Sequence, residues 1–317
     1  MESIPPFQNV YLDSRSAYSF LELNESEFIL RVFLSLREMM GHAFTTTDFI
    51  VFSSHNPDEL PGSLSSEKRR KRVLIFLSDE TGGIPAHLSI HYSAVFKCYL
   101  PYDDGLDNIF SFPLGYVKGV PSAEYKPLKV RKYGLFFTGN LNSPRIELYK
   151  QLSILKFFPS LLIRRLRRKS ITRGILDRAI GLDFSHCFHN SFIRFTSSFK
   201  SGMGQVEYAQ ILADSRIALC PRGFRSSETF RHFEAMRAGC IIVSERLPRT
   251  AFYEHSPIVQ IDDWKSGLRK ASEILRSDAL QEEMAIKTRE WWEKRCSEES
   301  TARFILDKLD KPESLKS

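Results

Sequence analysis

The sequence contains no long hydrophobic run and few cysteines. No stretch of its 317 residues approaches the roughly 18 consecutive apolar residues that a membrane-spanning helix needs. The N-terminal segment lacks the basic region and apolar run of a secretory signal peptide. The five cysteines are scattered without Cys-x-x-Cys spacing, which disfavours both a disulfide framework and a zinc site. These absences predict a protein of the reducing cytosol.

The composition is that of a globular protein, with 42% hydrophobic and 26% charged residues. The length suits two domains of about 150 residues each. The net charge is +7, and much of the excess lies in two basic stretches, Ser65–Arg72 and Leu161–Arg178. Basic clusters attract phosphate groups of nucleotides, nucleic acids or anionic lipids. The alternative is an ordinary solvated charged face.

Apolar strand-like runs alternate with helical patterns in both halves of the chain, which predicts two α/β domains. A Lys- and Pro-rich segment without periodicity separates the halves. We therefore predict an N-terminal domain over residues 1–125, a linker over 126–132 and a second domain over 133–290. Residues 291–317 form a helical tail, for which packing back on the N-terminal domain is one arrangement.

The second domain is expected to open with a strand at Tyr133–Asn140, a continuous apolar run that ends in a glycine turn. A helix follows, with Ser143 expected at its N-cap and Pro144 at its first helical position.

The segment Ser215–Glu245 has the pattern of a compact βαβ unit. Ile217–Cys220 is an apolar strand that Pro221 ends, and Gly223 permits close approach of the backbone to a ligand. Ser226 or Ser227 is expected to cap the helix that follows. Ligands of open α/β sheets bind at the carboxyl ends of the strands, and the start of a helix favours an anion such as a diphosphate.

Two polar residues on that helix, Arg231 and Glu234, lie three positions apart. A carboxylate at Glu234 is suited to accept both hydroxyls of a ribose, and Arg231 is suited to hold a phosphate or to orient Glu234. Arg222 and Arg225 in the preceding loop would add charge-assisted hydrogen bonds. A plain surface ion pair on a well-packed helix is the alternative.

"SRIALCPRG…FRHFEAMRAGCIIV" resembles the exostosin-like glycosyltransferases, in which a Cys-Pro-Arg-Gly loop precedes a helix with an Arg-x-x-Glu-Ala pattern. "YGLFFTGNLNSPRIEL" is similar to the strand and Gly-Asn turn that open the nucleotide-binding domain of that family. "FPLGY" (Phe112–Tyr116) is similar to the segment that closes the acceptor domain in bacterial relatives. Together these segments cover about a third of the chain.

The resemblance implies the GT-B architecture, an α/β fold of two Rossmann-like domains facing each other across a cleft. It implies a nucleotide-sugar donor, commonly UDP-linked, and no metal or other cofactor. Glu234 corresponds to the ribose-binding glutamate of the family, and Gly139 to the turn beside the diphosphate. The donor-binding set also takes in the loop residues Gly223 and Ser227 and the three arginines that match family arginines near the diphosphate, namely Arg222, Arg231 and Arg145.

An inverting transfer needs a general base for the acceptor hydroxyl. Asp79 and Glu80 follow a buried strand in "FLSDETGG", and we select these two as catalytic candidates. A turn-capping role for Asp79 is the alternative. Weaker candidates are His87, His91, His55 and Asp48. The pairs Asp103-Asp104 and Asp262-Asp263 lack the Asp-x-Asp spacing of a metal-dependent transferase and are interpreted as surface turns.

The stretch Leu161–Arg178 has the composition of a helix at a membrane interface, with leucine and isoleucine beside many arginines. A cationic helix packed on its own domain is the alternative. The function expected overall is transfer of a sugar, from UDP by preference, to a glycan or lipid-linked glycan of a surface polysaccharide, in the cytosol or at the inner membrane face. A GDP-fucose enzyme, a nucleic-acid-binding module and an inactive transferase-like scaffold are the alternatives; the absence of a recognised nucleic-acid-binding motif disfavours nucleic acid as a partner.

Overall fold

The computed structural model describes residues 1–62, 70–198 and 201–310, so that most of the basic stretch 65–72 lies outside the described residues. The chain divides into two compact units. The first unit consists of Met1–Lys118, Pro248–His255 and Glu293–Ser317, and the second consists of Gly119–Leu247 and Ser256–Trp292.

The helices and strands of the described residues follow one another along the chain in a fixed order. They are β1 (Glu2–Ser3), β2 (Val10–Ser14), α1 (Ser26–Met40), α2 (His42–Thr45), β3 (Thr47–Ser53), β4 (Lys71–Leu77), β5 (Ala94–Lys97), β6 (Ile109–Ser111), β7 (Tyr133–Asn140), α3 (Ile146–Leu152), α4 (Ser160–Arg168), α5 (Ser170–Ile180), β8 (Phe192–Thr196), α6 (Gln205–Ala213), β9 (Ser215–Cys220), α7 (Phe230–Arg237), β10 (Ile241–Glu245), β11 (Val259–Ile261), α8 (Trp264–Leu275), α9 (Asp278–Trp291) and α10 (Glu298–Leu309).

The first unit contains a six-stranded sheet in the order β1-β2-β3-β4-β5-β6. Only the short β1 is antiparallel to its neighbour; the other pairs are parallel. All seven residues of β3 are buried, as is typical of a parallel strand covered on both faces. Helix α1 packs against α10, and Tyr116 Oη donates to Glu298 Oε1 at 2.6 Å. The C-terminal helix therefore belongs to the core of the first unit.

The second unit contains a five-stranded parallel sheet in the order β11-β10-β9-β7-β8. The chain enters at β7, moves to β8 on one side and then crosses to β9 on the other. The direction of strand succession thus reverses between β7 and β9, and such a switch point is where α/β sheets bind ligands. The α/β class with two parallel-sheet domains, predicted from the sequence, is confirmed.

Residues 119–132 lie within the second unit, although the sequence analysis placed residues up to 125 in the N-terminal domain and 126–132 in a linker. Arg131 explains the difference, because it is 2% exposed and its guanidinium is bonded inside that unit. The side chain donates to the carbonyls of Lys126, Ser215 and Ala238, each at 2.8 Å. A segment anchored by a buried, fully engaged arginine is structural rather than a free connection.

The start predicted for the helix after β7 was wrong. Helix α3 begins at Ile146 with Arg145 at its cap, whereas Ser143 and Pro144 form a preceding turn. The basic stretch 161–178 forms two helices, α4 and α5, that are interrupted at Lys169. Within the described residues, no helix combines the length and the apolar character that crossing a bilayer requires.

Glu25, the residue before α1, provides a test of the first unit. Burial raises the pKa of its carboxyl from 4.5 to about 7, and Lys118 opposes the rise only in part. Because the folded state holds the proton more tightly, the associated stabilisation is complete below pH 4.5 and is lost as the pH rises through about 7. We expect Glu25→Gln to be more stable than the wild type by about 3 kcal/mol above pH 7, with no such gain near pH 4.5. Calorimetric unfolding at both pH values measures this, and an equal effect at both would contradict it.

Candidate functional site

The candidate site lies in the second unit at the switch point between β7 and β9. β7 ends at Asn140 and β9 ends at Cys220, and the loops that follow them run to α3 and α7. Both loops leave the carboxyl edge of the parallel sheet because neighbouring parallel strands end on the same side. The segments singled out from the sequence are therefore brought together by the strand order.

The loop after β9 is closed by its own hydrogen bonds. Gly223 N–H donates to Ser226 O at 2.9 Å, and Arg222 Nη2 donates to Arg225 O at 2.6 Å. The guanidinium of Arg222 is exposed at this loop. Ser227 is half-buried in the same loop.

The predicted cap of α7 was wrong, because Thr229 rather than Ser226 or Ser227 precedes the first helical residue. Ser226 Oγ instead accepts from Glu228 N–H at 3.0 Å, forming a turn before the helix. At the cap, Thr229 N–H donates to His232 Nδ1 at 3.2 Å. The sequence misled because three hydroxyl residues stand within four positions and only the tertiary structure selects among them.

His232 fixes the start of α7 onto β10. The imidazole is fully buried, and burial lowers its pKa to about 4, so it is neutral at neutral pH. Since Nδ1 accepts from Thr229, the proton lies on Nε2, which donates to Ser244 Oγ at 2.7 Å. Helix and strand are thereby held in one register at the mouth of the site.

Two arginine side chains converge on the Gly139 turn. A Cβ atom on Gly139 would lie 2.8 Å from Arg231 Nη2 and 3.0 Å from Arg145 Nη1. Both guanidinium groups also lie over the Phe137 ring. The distance from Cζ to the ring centroid is 4.9 Å for Arg231 and 5.9 Å for Arg145. A side chain at this position would therefore require the two guanidinium groups to shift.

Arg145 is held by backbone carbonyls of both loops. Its Nη1 donates to Asn140 O at 2.9 Å, and its Nε donates to Arg222 O at 3.1 Å. The side chain is 8% exposed. Arg145 therefore ties the end of β7 to the loop after β9 and holds its positive charge at the junction.

Arg231 is less well satisfied. Its Nη2 donates to Thr138 O, whereas Nε and Nη1 are buried and have no hydrogen-bond partner among the described residues. Buried N–H donors without partners are costly, and native structures normally supply an acceptor. Beside a second guanidinium, the group best able to satisfy those N–H donors is an anion with several oxygens, such as a diphosphate.

Glu234 lies one helical turn after Arg231 and is 7% exposed. Its Oε2 accepts from Tyr208 Oη at 2.7 Å. Burial and the adjacent Glu234 raise the pKa of Tyr208 well above its ordinary value, so the phenol remains a donor. Tyr208 was missed from the sequence because α6 carried no motif; its aromatic position in "QVEYAQ" was the only signal.

Glu245 at the carboxyl end of β10 was also missed. Its Oε1 accepts from Trp264 Nε1 at 2.7 Å. Burial raises the pKa of Glu245, while Trp264, Arg222 and Arg145 oppose the rise. The carboxylate thus lies within the electrostatic influence of two arginines of the site. Its place two residues after the apolar run "CIIV" was the available signal.

The catalytic candidates Asp79 and Glu80 lie in the first unit, after β4. Asp79 is 1% exposed and forms an ion pair with the buried Lys97 at 3.0 Å. Its carboxylate also accepts from the backbone N–H groups of Thr81 and Gly83, each at 3.0 Å. This geometry favours the turn-capping interpretation of Asp79. Glu80 is half-buried, and its role as a base stays a prediction.

The weaker catalytic candidates have the following positions. Asp48 is buried, and its Oδ1 lies 3.3 Å from Arg70 Nε. His55 Nδ1 lies 2.8 Å from Ser78 O. His87 and His91 are exposed.

The paired aspartates of the sequence have structural partners. Asp262 pairs with Arg246 at 2.5 Å, and Asp263 accepts from Ser266 N–H at 2.9 Å at the start of α8. Asp103 accepts from Ala251 N–H at 2.9 Å. Among the residues that the structure describes, no group of three or more His, Cys, Asp or Glu side chains is arranged to hold a metal ion.

Neither a scan against models of protein families nor a search of curated proteins returned a match. Similar solved structures exist. A mutant of S. aureus TarM in complex with fondaparinux, alpha-GlcNAc-glycerol and UDP is 12% identical with a TM-score of 0.48, covering 89% of this chain. The chain spans 59% of that TarM chain, less than two thirds of its length.

Two further similar structures are matched over more of their own length. An alpha-glucosyltransferase in complex with UDP-glucose and DNA containing an abasic site is 12% identical with a TM-score of 0.47. The match covers 95% of this chain and 90% of the alpha-glucosyltransferase chain. The trehalose-6-phosphate synthase OtsA is 9% identical with a TM-score of 0.49, covering 91% of this chain and 77% of its own.

The Gly139 turn can be tested without any ligand. We expect Gly139→Ala to destabilise the second unit by roughly 1–3 kcal/mol, because its methyl group overlaps two guanidinium groups held by the fold. Gly174→Ala in α5 is the matched control, since a Cβ there meets nothing within 4 Å, and it should be neutral or slightly stabilising. Urea unfolding of both variants measures the difference. A Gly139→Ala protein as stable as the control would contradict the close contact between Gly139 and the two guanidinium groups.

Proposed function

We propose that the second unit binds the nucleoside diphosphate of a sugar donor and that the chain is a glycosyltransferase. The observation that carries this proposal is the buried Arg231 guanidinium, whose Nε and Nη1 have no partner among the described residues. Arg145 lies beside it at Gly139, at the carboxyl edge of a parallel sheet. Two clustered guanidiniums at a switch point are suited to a diphosphate.

The arrangement has the chemistry that glycosyl transfer needs. When the bond between the anomeric carbon and the phosphate oxygen breaks, negative charge develops on the leaving diphosphate. Arg145 and Arg231 are already in place, held by backbone carbonyls, and stabilise that charge without reorganisation. The transfer is therefore proposed to need no metal, because these guanidiniums supply the positive charge.

Glu234 is proposed to bind the ribose. A carboxylate can accept from both hydroxyls of a ribose, and Tyr208 holds the Glu234 carboxylate in one orientation. Tyr208 is a positioning residue in this assignment. The role of Glu234 follows from the resemblance to the exostosin-like family, and membership of that family is part of the proposal.

The donor is proposed to be a UDP-sugar, the acceptor a glycan of a surface polysaccharide, and the transfer inverting. The acceptor hydroxyl forms the new bond to the anomeric carbon and gives its proton to a base. Glu80 is the favoured base, because both carboxylate oxygens of Asp79 are engaged within the first unit. We place the enzyme in the cytosol, whose reducing conditions suit five free cysteines, and at an anionic membrane face through Leu161–Arg178.

The donor site is tested by thermal unfolding with UDP, GDP, CMP and ADP. UDP is the first probe, because the family resemblance implies a UDP-linked donor. A nucleotide at about 100 times its Kd adds roughly 2.7 kcal/mol to the free energy of unfolding. We expect Arg231→Met to abolish this gain while leaving the ligand-free protein at least as stable, because the variant removes the buried Nε and Nη1 donors that have no partner among the described residues.

The matched control is Arg269→Met in α8, an exposed arginine that pairs only with Glu273 at 3.8 Å among the contacts described. It should retain the full nucleotide effect. Stabilisation by GDP instead of UDP would favour the fucosyltransferase alternative. A response to none of the nucleotides, or an Arg231→Met protein that still responds, would overturn the donor site and favour the scaffold or nucleic-acid alternatives.

The general base is tested by separating turnover from stability. We expect Glu80→Gln to lower turnover of the UDP-sugar by about 10²–10⁴-fold with an unchanged melting temperature. Asp79→Asn should instead destabilise by about 3–5 kcal/mol, because it leaves Lys97 buried without its ion pair. Glu38→Gln, at an exposed position of α1, is the control and should affect neither quantity. Full turnover in Glu80→Gln would remove Glu80 from the mechanism.

A further inference from the structure

Arginine is the most frequent residue type among the residues that line a cavity in the second unit. It has a volume of about 580 Å³, within the range of sites that hold small ligands. Its walls are α4, α5 and the turn that follows β7, with Phe224 from the loop after β9. Among the described residues, no carboxylate lines it, whereas five guanidinium side chains do: Arg164, Arg165, Arg167, Arg168 and Arg173.

Only two of these five arginines have an acidic partner among the described residues. Arg167 pairs with Asp177, and Arg164 pairs with Glu147 at 3.5 Å. Arg164 Nε is nevertheless buried without a hydrogen-bond partner. The other three arginines form no ion pair with any described carboxylate, which leaves the cavity strongly positive. Like charges gathered in a concave site repel one another unless an anion joins them.

Large apolar side chains are exposed on the segments that carry the cavity arginines. Leu161 lines the cavity and is 72% exposed, and Ile171 on α5, the helix of Arg173, is 78% exposed. Phe157, three residues before α4, is 85% exposed. Large apolar side chains exposed on the same helices as a positive site favour an interaction surface over a solvated helix face. Arginines with exposed apolar neighbours are the combination found at membrane interfaces.

We propose that this cavity binds the phosphate group of an anionic membrane lipid, with the exposed apolar side chains of the same segments entering the lipid interface. The positive walls complement the phosphate, and the exposed aliphatic side chains complement the acyl region, which a nucleic acid does not offer. The proposal deepens the membrane association given above and names its ligand. Arg165, Arg168 and Arg173 hold the phosphate oxygens.

The wall formed by Asn140–Ser143 gives the site a functional position. This turn continues directly from Gly139, where Arg145 and Arg231 meet. A lipid phosphate in the cavity therefore lies against the same turn as the proposed donor diphosphate. A lipid that carries the glycan acceptor would be held close to the donor by this arrangement.

The test is sedimentation of the full chain with phosphatidylcholine vesicles, with and without phosphatidylglycerol. We expect binding only when phosphatidylglycerol is present. The variant Arg165→Ala/Arg168→Ala/Arg173→Ala should bind on the order of 100-fold more weakly, from about 1 kcal/mol for each arginine. The control Lys156→Ala/Lys169→Ala/Arg178→Ala removes the same charge from exposed positions nearby that do not line the cavity. It should bind at least tenfold more tightly than the cavity variant.

Two further measurements test the exposed apolar side chains and the phosphate group separately. Phe157→Ser/Ile171→Ser should weaken vesicle binding without changing the melting temperature, because both side chains are exposed. Inorganic phosphate should compete with the vesicles for wild type and for the control, since both keep the cavity.

Three outcomes would overturn the lipid site. Equal loss in the cavity and control variants would reduce the interaction to diffuse charge. Wild-type binding by the cavity variant would remove the arginines from it. Duplex DNA that binds with the same arginine dependence, while vesicles do not, would identify a nucleic-acid site instead. None of these measurements uses nucleotide or sugar transfer, so failure of the lipid site is distinguishable from failure of the donor site.

Discussion

The second unit is organised around two guanidinium groups that share one phenyl ring and meet a glycine. Arg145 and Arg231 come from different segments, yet both lie over Phe137 and against Gly139. Neighbouring cations are favourable only when oxygen atoms accept their hydrogen bonds. The backbone carbonyls of Thr138, Asn140 and Arg222 accept some of these bonds. The fold therefore holds a positive charge in place, and the remaining N–H groups of Arg231 define what a ligand must provide.

Keeping those charges in position requires rigid support from the surrounding elements. His232 serves this purpose on α7, since its neutral imidazole bonds to the cap of its own helix and to Ser244 of β10. Arg131 also supports the site. It joins the segment before β7 to the carbonyl of Ser215 at the start of β9 and to the carbonyl of Ala238 after the end of α7. These buried polar groups have their partners, which is why the elements that carry the site cannot slide past one another.

The sequence predicted most accurately what depends on neighbours along the chain. β7 was predicted at its observed bounds, and the Ser215–Glu245 segment folds as the expected βαβ unit, because a continuous apolar run with Pro and Gly at its ends has few alternatives. The cap of α7, Tyr208 and Glu245 could not be predicted. Each owes its role to a partner between 3 and 26 residues away, selected by packing rather than by local propensity.

The turn after β7 lies between two clusters of arginines, the pair at Gly139 and the group that lines the cavity. Gly139 belongs to the proposed donor site, whereas Asn140–Ser143 line the arginine cavity, and Arg145 at the cap of α3 follows them closely. A ligand in the cavity contacts the residues that set the position of Arg145, so occupancy there alters the field at Gly139. Because both ligands are anions and both sets of cations are fixed by the fold, an anion bound in one site repels an anion bound in the other and reduces the positive field that attracts it. The two sites are therefore expected to weaken each other's occupation, a coupling that arises from charge and needs no change of shape.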